Sequence, residues 1–209
     1  MANLIKYYIR ARLPKGFWGR RALSAMNGKQ HAALPEWVFE DLQVSEDANV
    51  LDVGCGGGAN VARLLEKCPN GIVTGMDRST LAMEISHDLN YRAVVDKRCF
   101  IIGGNVSQMP RAKDMLDLVT AFETIYFWPS LDEGLEEVFR VLKPGGTCVI
   151  ANEMDGHEAN CRKMEHAVGM LIYTIEEITE SLKKAGFADI KSRHDEERHF
   201  ICVTARKPK

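Results

Sequence analysis

Two rhythms of apolar residues alternate along most of the chain. Short, nearly continuous apolar runs predict buried β-strands at 49–54, 71–77, 98–105, 117–123 and 146–153. Between them, apolar residues recurring every three or four positions predict amphipathic helices at 59–68, 79–90 and 130–143. Strands that alternate with helices and are apolar on both faces predict a mostly parallel sheet covered on both sides.

The C-terminal part of the chain breaks this alternation. A predicted helix at 174–187 is followed by two strand-like runs, 188–194 and 198–207, with only a short acidic turn between them. A connection this short joins antiparallel strands only. The predicted fold is therefore α/β, a Rossmann-like doubly wound sheet of about seven strands, mostly parallel, with one antiparallel C-terminal strand. A further short helix is predicted at 34–42, and 153–173 shows no clear period.

Composition and charge refine this picture. The 209 residues, 45% of them hydrophobic, suit a single domain spanning 1–209. All 29 acidic residues follow position 35, whereas the first 35 residues carry seven basic ones, so a basic head precedes an acidic body. The six cysteines occur singly, without zinc-ligand spacing, which predicts reduced thiols and a cytoplasmic protein. No run approaches the length of a membrane-spanning helix.

The stretch VLDVGCGGGAN at 50–60 carries the strongest chemical signal. Glycines directly after the first strand allow a tight turn and close approach of the backbone to a ligand. The loop fits the dinucleotide pattern G-x-G-x-x-A, and Asp77 lies 19 residues past Gly58, where a carboxylate would accept ribose hydroxyls. An NAD(P)-dependent oxidoreductase is therefore one reading of the loop.

Asp52 favours a different ligand. Its carboxylate stands two residues before Gly54, at the mouth of the loop, where it would repel a pyrophosphate. The same carboxylate would attract an ammonium group. S-adenosylmethionine carries an ammonium, a sulfonium and a ribose but no phosphate, so the combination of glycines and aspartate suits it better.

Five strings in order resemble class I S-adenosylmethionine-dependent methyltransferases, in particular the small-molecule, type 11-like branch. They are VLDVGCGGGAN, GIVTGMDRS, GGNVSQMP, DLVTAFETIYFWP and EVFRVLKPGGTCVI. The resemblance covers about 48–153. It implies S-adenosyl-L-methionine as cofactor, S-adenosyl-L-homocysteine as product, and a cofactor-binding core at 48–153. The remaining segments would be an N-terminal helical cover (1–47), a substrate-side insertion (154–173) and a C-terminal helix and β-hairpin (174–209).

The resemblance also assigns residues to the cofactor. It implies Asp52 near the methionine end, Asp77 on the ribose hydroxyls and Arg78 beside the adenine. Where the family commonly has an acidic residue for the adenine amino group, this chain has Asn105, whose amide oxygen can still accept that hydrogen bond. Val106 would offer its backbone N–H to the ring. The glycine loop would place four residues under the cofactor: Gly54, Cys55, Gly56 and Gly58.

The chemistry is expected at the end of the fourth strand, in FETIYFWPS. Methyl transfer needs alignment and, for a protonated nucleophile, a base. Glu123 and Tyr126 are the candidate catalytic residues, with Glu123 also counted among cofactor contacts. Asn152 and Glu153, at the end of the fifth strand, could line the same pocket. His31, His157 and His166 are weaker candidates, and no metal is predicted.

The sequence therefore predicts methyl transfer from S-adenosylmethionine to a small-molecule acceptor. Two alternatives stay open at this point: the NAD(P)-dependent oxidoreductase and a non-catalytic S-adenosylmethionine-binding module. The aromatics in the basic head resemble a nucleic-acid surface, but the acidic body and the lack of an Asn-Pro-Pro-aromatic string make nucleic acid an unfavoured partner. No membrane partner is expected, and the oligomeric state is not predicted.

Overall fold

The computed structural model describes residues 5–6, 8–9, 14–26, 28, 32–157 and 161–209. Its strands are β1 (Asn49–Val53), β2 (Ile72–Asp77), β3 (Cys99–Gly103), β4 (Leu116–Phe122), β5 (Leu142–Asn152), β6 (Ala188–Asp195) and β7 (Phe200–Arg206). Its helices are α1 (Gly16–Met26), α2 (Ala33–Asp41), α3 (Ala59–Lys67), α4 (Thr80–Leu89), α5 (Tyr91–Val95), α6 (Leu131–Val141), α7 (Cys161–Val168) and α8 (Ile175–Lys184).

The seven strands form one sheet in the order β3-β2-β1-β4-β5-β7-β6. The pairs among the first five are parallel, and β7 runs antiparallel to both β5 and β6. The predicted fold class is thus confirmed. The strand order reverses beside β1, which pairs with β2 on one side and β4 on the other, and ligands of such sheets bind at this reversal.

Several element boundaries differ from the prediction. The helix predicted at 130–143 ends at Val141, and β5 already begins at Leu142, because a residue that precedes proline, here Lys143, disfavours helical backbone. The stretch 153–173, which showed no period, contains α7. Its buried Cys161, Met164 and Val168 form one stripe, too short to stand out in sequence.

Two apolar layers cover the faces of the sheet, and a third cluster lies apart from them. On one face α6 and α8 bury Leu135, Ile178 and neighbouring residues, while α2 and α3 bury Val38 and Leu64 on the other. The third cluster joins Tyr8 of the N-terminal segment to Tyr126 and to residues on and beside α7. The head and the insertion therefore pack together near the ends of β4 and β5.

Two of these helices begin with a serine N-cap. Ser79 caps α4, its Oγ accepting a hydrogen bond from Ala82 N at 3.3 Å. Ser130 caps α6 in the same way through Glu133 N. Across the ranges that the structure describes, no helix combines the length and apolarity that crossing a membrane requires.

Candidate functional site

A cleft opens at the carboxyl ends of β1, β2 and β4, where the strand order reverses. Its floor is the glycine loop, and the ends of β2 and β4 flank this loop on opposite sides. The head and α2 cover it through Tyr8, Pro14, Leu23, Leu34 and Pro35. The cleft thus combines the predicted cofactor loop with residues of the predicted N-terminal cover.

Backbone conformation fixes the shape of the glycine loop. Gly54 and Gly56 have positive φ angles of 73° and 52°, which glycine adopts at little cost. The N–H groups of Gly54 and Cys55 both donate to Met76 O, at 2.7 and 3.1 Å, and fasten the loop to β2. A Cβ on Gly56 would find only Leu23 Cδ2, at 3.7 Å. Gly56 therefore presents bare backbone to the cleft.

Gly58 has a different position. It precedes α3 with φ of +84°, and a Cβ there would lie 2.3 Å from Ser86 Oγ. Asn90 Nδ2 donates to Gly58 O at 3.1 Å, so the residue serves the close packing of α3 against α4. Gly58 does not line the cleft, whereas Gly54, Cys55 and Gly56 do.

Asp77 ends β2 at the rim of the cleft. Its Oδ2 accepts from Gly56 N at 3.0 Å and its Oδ1 from Ser79 N at 2.8 Å, so one carboxylate holds both the glycine loop and the start of α4. Burial raises the pKa of the Asp77 carboxyl, although both hydrogen bonds oppose the rise. Arg78 lines the cleft beside it.

Asp52 lies beneath the loop and does not line the cleft. It is 2% exposed, and Thr120 Oγ1 donates to its Oδ1 at 2.6 Å. Burial raises the pKa of Asp52 to about 7, opposed by the Thr120 hydrogen bond and reinforced by the nearby Asp77 carboxylate. Any effect of Asp52 on a ligand in the cleft is therefore exerted through its charge rather than by a surface contact.

Asn105 and Val106 line the cleft on the side of β3. Asn105 Oδ1 accepts from Ser107 N at 3.2 Å, which leaves this oxygen one lone pair for a ligand. Val106 is buried, and among the described residues its backbone N–H has no hydrogen-bond acceptor. Both groups can therefore meet a planar ring at this end of the cleft.

Glu123 occupies the opposite end, directly after β4, and its φ of +55° is uncommon for a non-glycine residue. Its Oε1 accepts from Tyr126 OH at 3.0 Å and from the backbone N–H of Glu153. Its Oε2 accepts from Tyr8 OH at 3.2 Å. Glu123 and Glu153 both line the cleft, so two carboxylates meet there.

The protonation of Glu123 is set by these surroundings. Burial raises the pKa of Glu123, and the Glu153 carboxylate raises it further, whereas the hydrogen bonds from Glu153 N, Tyr126 and Tyr8 lower it. A carboxyl whose pKa is moved upward toward neutrality is suited to proton transfer.

Tyr126 holds the Glu123 carboxylate in place and does not itself line the cleft. It is 1% exposed and absent from the cleft wall. Besides donating to Glu123, its hydroxyl accepts from Met154 N at 3.1 Å, which ties β4 to the chain after β5. Burial raises the pKa of the Tyr126 hydroxyl well above its ordinary value, so it stays a hydrogen-bond donor. Its geometry is that of a positioning residue.

Sequence reasoning missed some of the cleft. Tyr8 had no signal beyond being one aromatic of the basic head, and Arg63 lay unnoticed in an amphipathic helix. Of the two residues expected at the end of β5, Glu153 lines the cleft, whereas Asn152 is fully buried away from it. His157 and His166 are not in the wall, and His31 lies outside the described residues. Within the described ranges no group of three His, Cys, Asp or Glu side chains is arranged to hold a metal ion.

Comparison with known proteins agrees with this geometry. A family model described as a methyltransferase domain matches residues 51–150. The uncharacterized methyltransferase YdaC of Bacillus subtilis is 24% identical over 181 residues, which are 86% of this chain and 94% of YdaC. The cycloartenol-C-24-methyltransferase of Arabidopsis thaliana is 32% identical over 157 residues, 70% of this chain but 46% of that enzyme. Over residues 51–150 the chain matches a methyltransferase domain, in agreement with its resemblance to class I S-adenosylmethionine-dependent methyltransferases.

A solved structure supports the methyltransferase fold. The phosphoethanolamine N-methyltransferase 2 of Haemonchus contortus, in complex with phosphomonomethylethanolamine and S-adenosylhomocysteine, aligns with a TM-score of 0.77 at 17% identity, over 96% of this chain and 61% of that one. The reaction of this methyltransferase is methyl transfer from S-adenosylmethionine, its cofactor. The match to a methyltransferase domain thus decides against the interpretation of the glycine loop as a nicotinamide site.

The residues of the cleft fit that cofactor. Bare backbone at Gly56 leaves room above the loop, the carboxyl of Asp77 stands where β2 ends, and the unbonded N–H of Val106 lies farther along the same wall. A nucleoside and a short charged chain can occupy such a cleft from the β3 side to the β4 side.

Proposed function

We propose that this methyltransferase acts on a small-molecule acceptor that binds beside Glu123. In this arrangement the cleft has a cofactor half, formed by the glycine loop, Asp77, Arg78, Asn105 and Val106, and an acceptor half around Glu123. The observation that carries the proposal is that Gly56, Asp77 and Glu123 line one continuous cleft. Sterol and phosphoethanolamine methyltransferases, similar to this chain in sequence or fold, carry small-molecule substrates in their names.

The cofactor half recognises three parts of S-adenosylmethionine in this proposal. Asp77 accepts hydrogen bonds from the ribose hydroxyls, and Asn105 and Val106 meet the adenine edge. Asp52 favours the ammonium group through its charge. A cation nearby lowers the raised pKa of the Asp52 carboxyl and so favours its ionised form. Arg78 flanks the ring, and Gly54, Cys55 and Gly56 form the surface beneath the cofactor.

The acceptor half supplies alignment and a proton acceptor. The cofactor provides an activated methyl group on a sulfonium that leaves as a neutral thioether. The acceptor contributes the electron pair for the new bond to the methyl carbon while the sulfur–carbon bond breaks. Where the acceptor atom carries a proton, Glu123 takes it, and Tyr126 and Tyr8 hold the carboxylate in place.

The parts of the single domain divide accordingly. We assign cofactor binding to residues 48–153, and covering of the acceptor to 1–47 and 154–173, because Tyr8 contacts both Glu123 and the ring of Tyr126. The terminal helix and hairpin at 174–209 complete the sheet. Six free cysteines, all buried, support the further proposal that the protein is cytoplasmic.

The first experiment is calorimetric titration with S-adenosylhomocysteine, beside NAD and NADP at equal concentrations. We expect saturable binding of S-adenosylhomocysteine alone. In Gly56→Leu, whose side chain would project into the cleft, affinity should fall at least about 100-fold because the ligand's position is occupied. Melting curves check that the variant is folded. Unchanged affinity in a folded Gly56→Leu protein would overturn the proposed binding mode.

A second measurement separates an enzyme from a binding module. The protein is incubated with methyl-tritiated S-adenosylmethionine and a deproteinised cell extract, and label is followed into the small-molecule fraction. Transfer by the wild-type chain that exceeds the no-protein control supports catalysis on a small acceptor. Cofactor binding without transfer in any extract would instead favour the non-catalytic module.

A further inference from the structure

Within the described ranges, Arg63 is the one arginine of the cleft wall that projects from a helix. It lies on α3 with Ala59 and Asn60, which also face the cleft. Its side chain is half-buried, and its Nη1 donates to Asn60 Oδ1 at 3.1 Å, within the same helix. Among the described residues no carboxylate lies within ion-pair distance of it.

The other half-buried arginines have partners elsewhere in the fold. Each donates to a group outside its own element or forms an ion pair, as seen for Arg98, Arg111, Arg140 and Arg193. A half-buried guanidinium that faces a cleft without an acidic partner is placed to receive an anion, since its remaining donors need acceptors.

The charges of the wall indicate which anion. Of the two basic residues that line the described part of the cleft, Arg78 follows Asp77 at the end of β2, on the side assigned to the nucleoside. Arg63 lies one turn into the helix that begins at the glycine loop and lines the cleft there. The amino acid end of the cofactor carries an ammonium and a carboxylate, and the acidic residues can serve only the first.

We propose that Arg63 binds the methionine carboxylate of S-adenosylmethionine, with Asn60 holding the guanidinium in position. This inference rests on the cofactor orientation given under the proposed function. The fork of two N–H groups matches a carboxylate in a bidentate pair, which a lysine in the same place would match less well.

The test uses a matched pair of ligands in calorimetry. S-adenosylhomocysteine and its decarboxylated counterpart share the nucleoside, the thioether and the ammonium and differ in the carboxylate alone. We expect the wild-type chain to prefer S-adenosylhomocysteine by about 10- to 100-fold. Arg63→Met, which keeps much of the stem, should lose this preference by weakening S-adenosylhomocysteine alone, and Arg63→Lys should retain part of it. Arg92→Met, at an exposed position on α5, is the control for loss of one positive charge.

Three results would contradict the inference. Equal affinity of the wild-type chain for both ligands would show that nothing reads the carboxylate, whether or not any variant folds. An equal loss of affinity for both ligands in Arg63→Met would mean that Arg63 has a structural role. Unchanged affinity for both ligands would mean that Arg63 does not contact the cofactor and is available to an acidic acceptor. Failure of the wild-type chain to bind either ligand would instead count against the proposed cofactor site itself.

Discussion

The two halves of the cleft are built in different ways. The floor of the cofactor half is formed by consecutive backbone: β1, the glycine loop and the start of α3 lie within residues 49–67, and the loop is fastened by Asp77 at the next strand end. The acceptor half is assembled from distant side chains. Tyr8 and Glu123 are 115 residues apart in sequence, and Glu123 and Glu153 are 30 apart.

Because of this difference, we expect substitutions in the two halves to have different effects. The cofactor half depends on backbone shape, so that substitutions there should change ligand affinity or the packing of α3 against α4. The acceptor half depends on a hydrogen-bond network around one carboxylate, and substitutions there should change the rate of transfer with little change in cofactor affinity. A variant of the acceptor half that loses cofactor affinity, or a variant of the cofactor half that changes only the transfer rate, would contradict this division.

The largest effect is expected for Glu123→Gln. An amide cannot accept a proton near neutral pH, so transfer to a protonated acceptor should fall by about 10²- to 10⁴-fold. Affinity for S-adenosylhomocysteine should change by less than about threefold, because Glu123 lies in the acceptor half. The two measurements are labelled-methyl transfer and calorimetry, with Glu136→Gln on the exposed side of α6 as the control.

A large loss of cofactor affinity in Glu123→Gln would contradict the division. It would make Glu123 a contact of the amino acid end, the second role that the sequence left open for it. An unchanged transfer rate would mean that the acceptor arrives without a proton to lose.

A smaller effect is expected for Asp52→Asn, and it concerns the cofactor half. With a pKa of about 7, Asp52 is half protonated in the free protein near neutral pH, and an ammonium in the cleft favours its ionised form. Wild-type affinity for S-adenosylhomocysteine should therefore rise as the pH increases through 7. The variant should lose that rise and bind about tenfold more weakly at pH 8.

The same variant should be more stable without ligand. A carboxyl with a raised pKa makes the folded state bind more protons than the unfolded one, so the free energy of unfolding falls as the pH rises from about 4 to 7. Asparagine removes this loss and can still accept from Thr120. The melting temperature of Asp52→Asn should exceed that of the wild type at pH 8 and approach it at pH 4. Identical pH dependence of the two proteins would refute the assignment.

The same contrast explains which parts of the fold and of the cleft could be predicted from the sequence. The mostly parallel sheet, the glycine loop and the position of Asp77 at the end of a strand were predictable because local sequence patterns define them. The side-chain network was not, because no periodicity relates Tyr8 to Glu123. Gly58 shows a third case: its place in the motif suggested a ligand contact, whereas its nearest neighbours, Ser86 and Asn90, belong to the packing of α4. A glycine pattern alone does not distinguish a glycine that leaves room for a ligand from one that allows two helices to pack closely.

The smallest effect is expected for Tyr8→Phe. The variant removes one hydrogen bond to Glu123 and keeps the ring that meets Tyr126 edge-on at a centroid distance of 6.4 Å. Since that hydrogen bond lowers the pKa of Glu123, the acidic limb of the pH–rate profile should move to higher pH. The transfer rate at neutral pH should fall by less than about tenfold, with a small loss of stability of about 1 kcal/mol.

Tyr126→Phe provides the matched comparison. It removes a hydrogen bond to the same carboxylate, but it also leaves the buried N–H of Met154 without its acceptor, so the melting temperature should fall as well. A Tyr8→Phe protein with a slower rate and an unmoved pH profile would place the Tyr8 hydroxyl on the acceptor itself. The head would then be part of the reacting site, and the acceptor half would extend beyond the carboxylate that organises it.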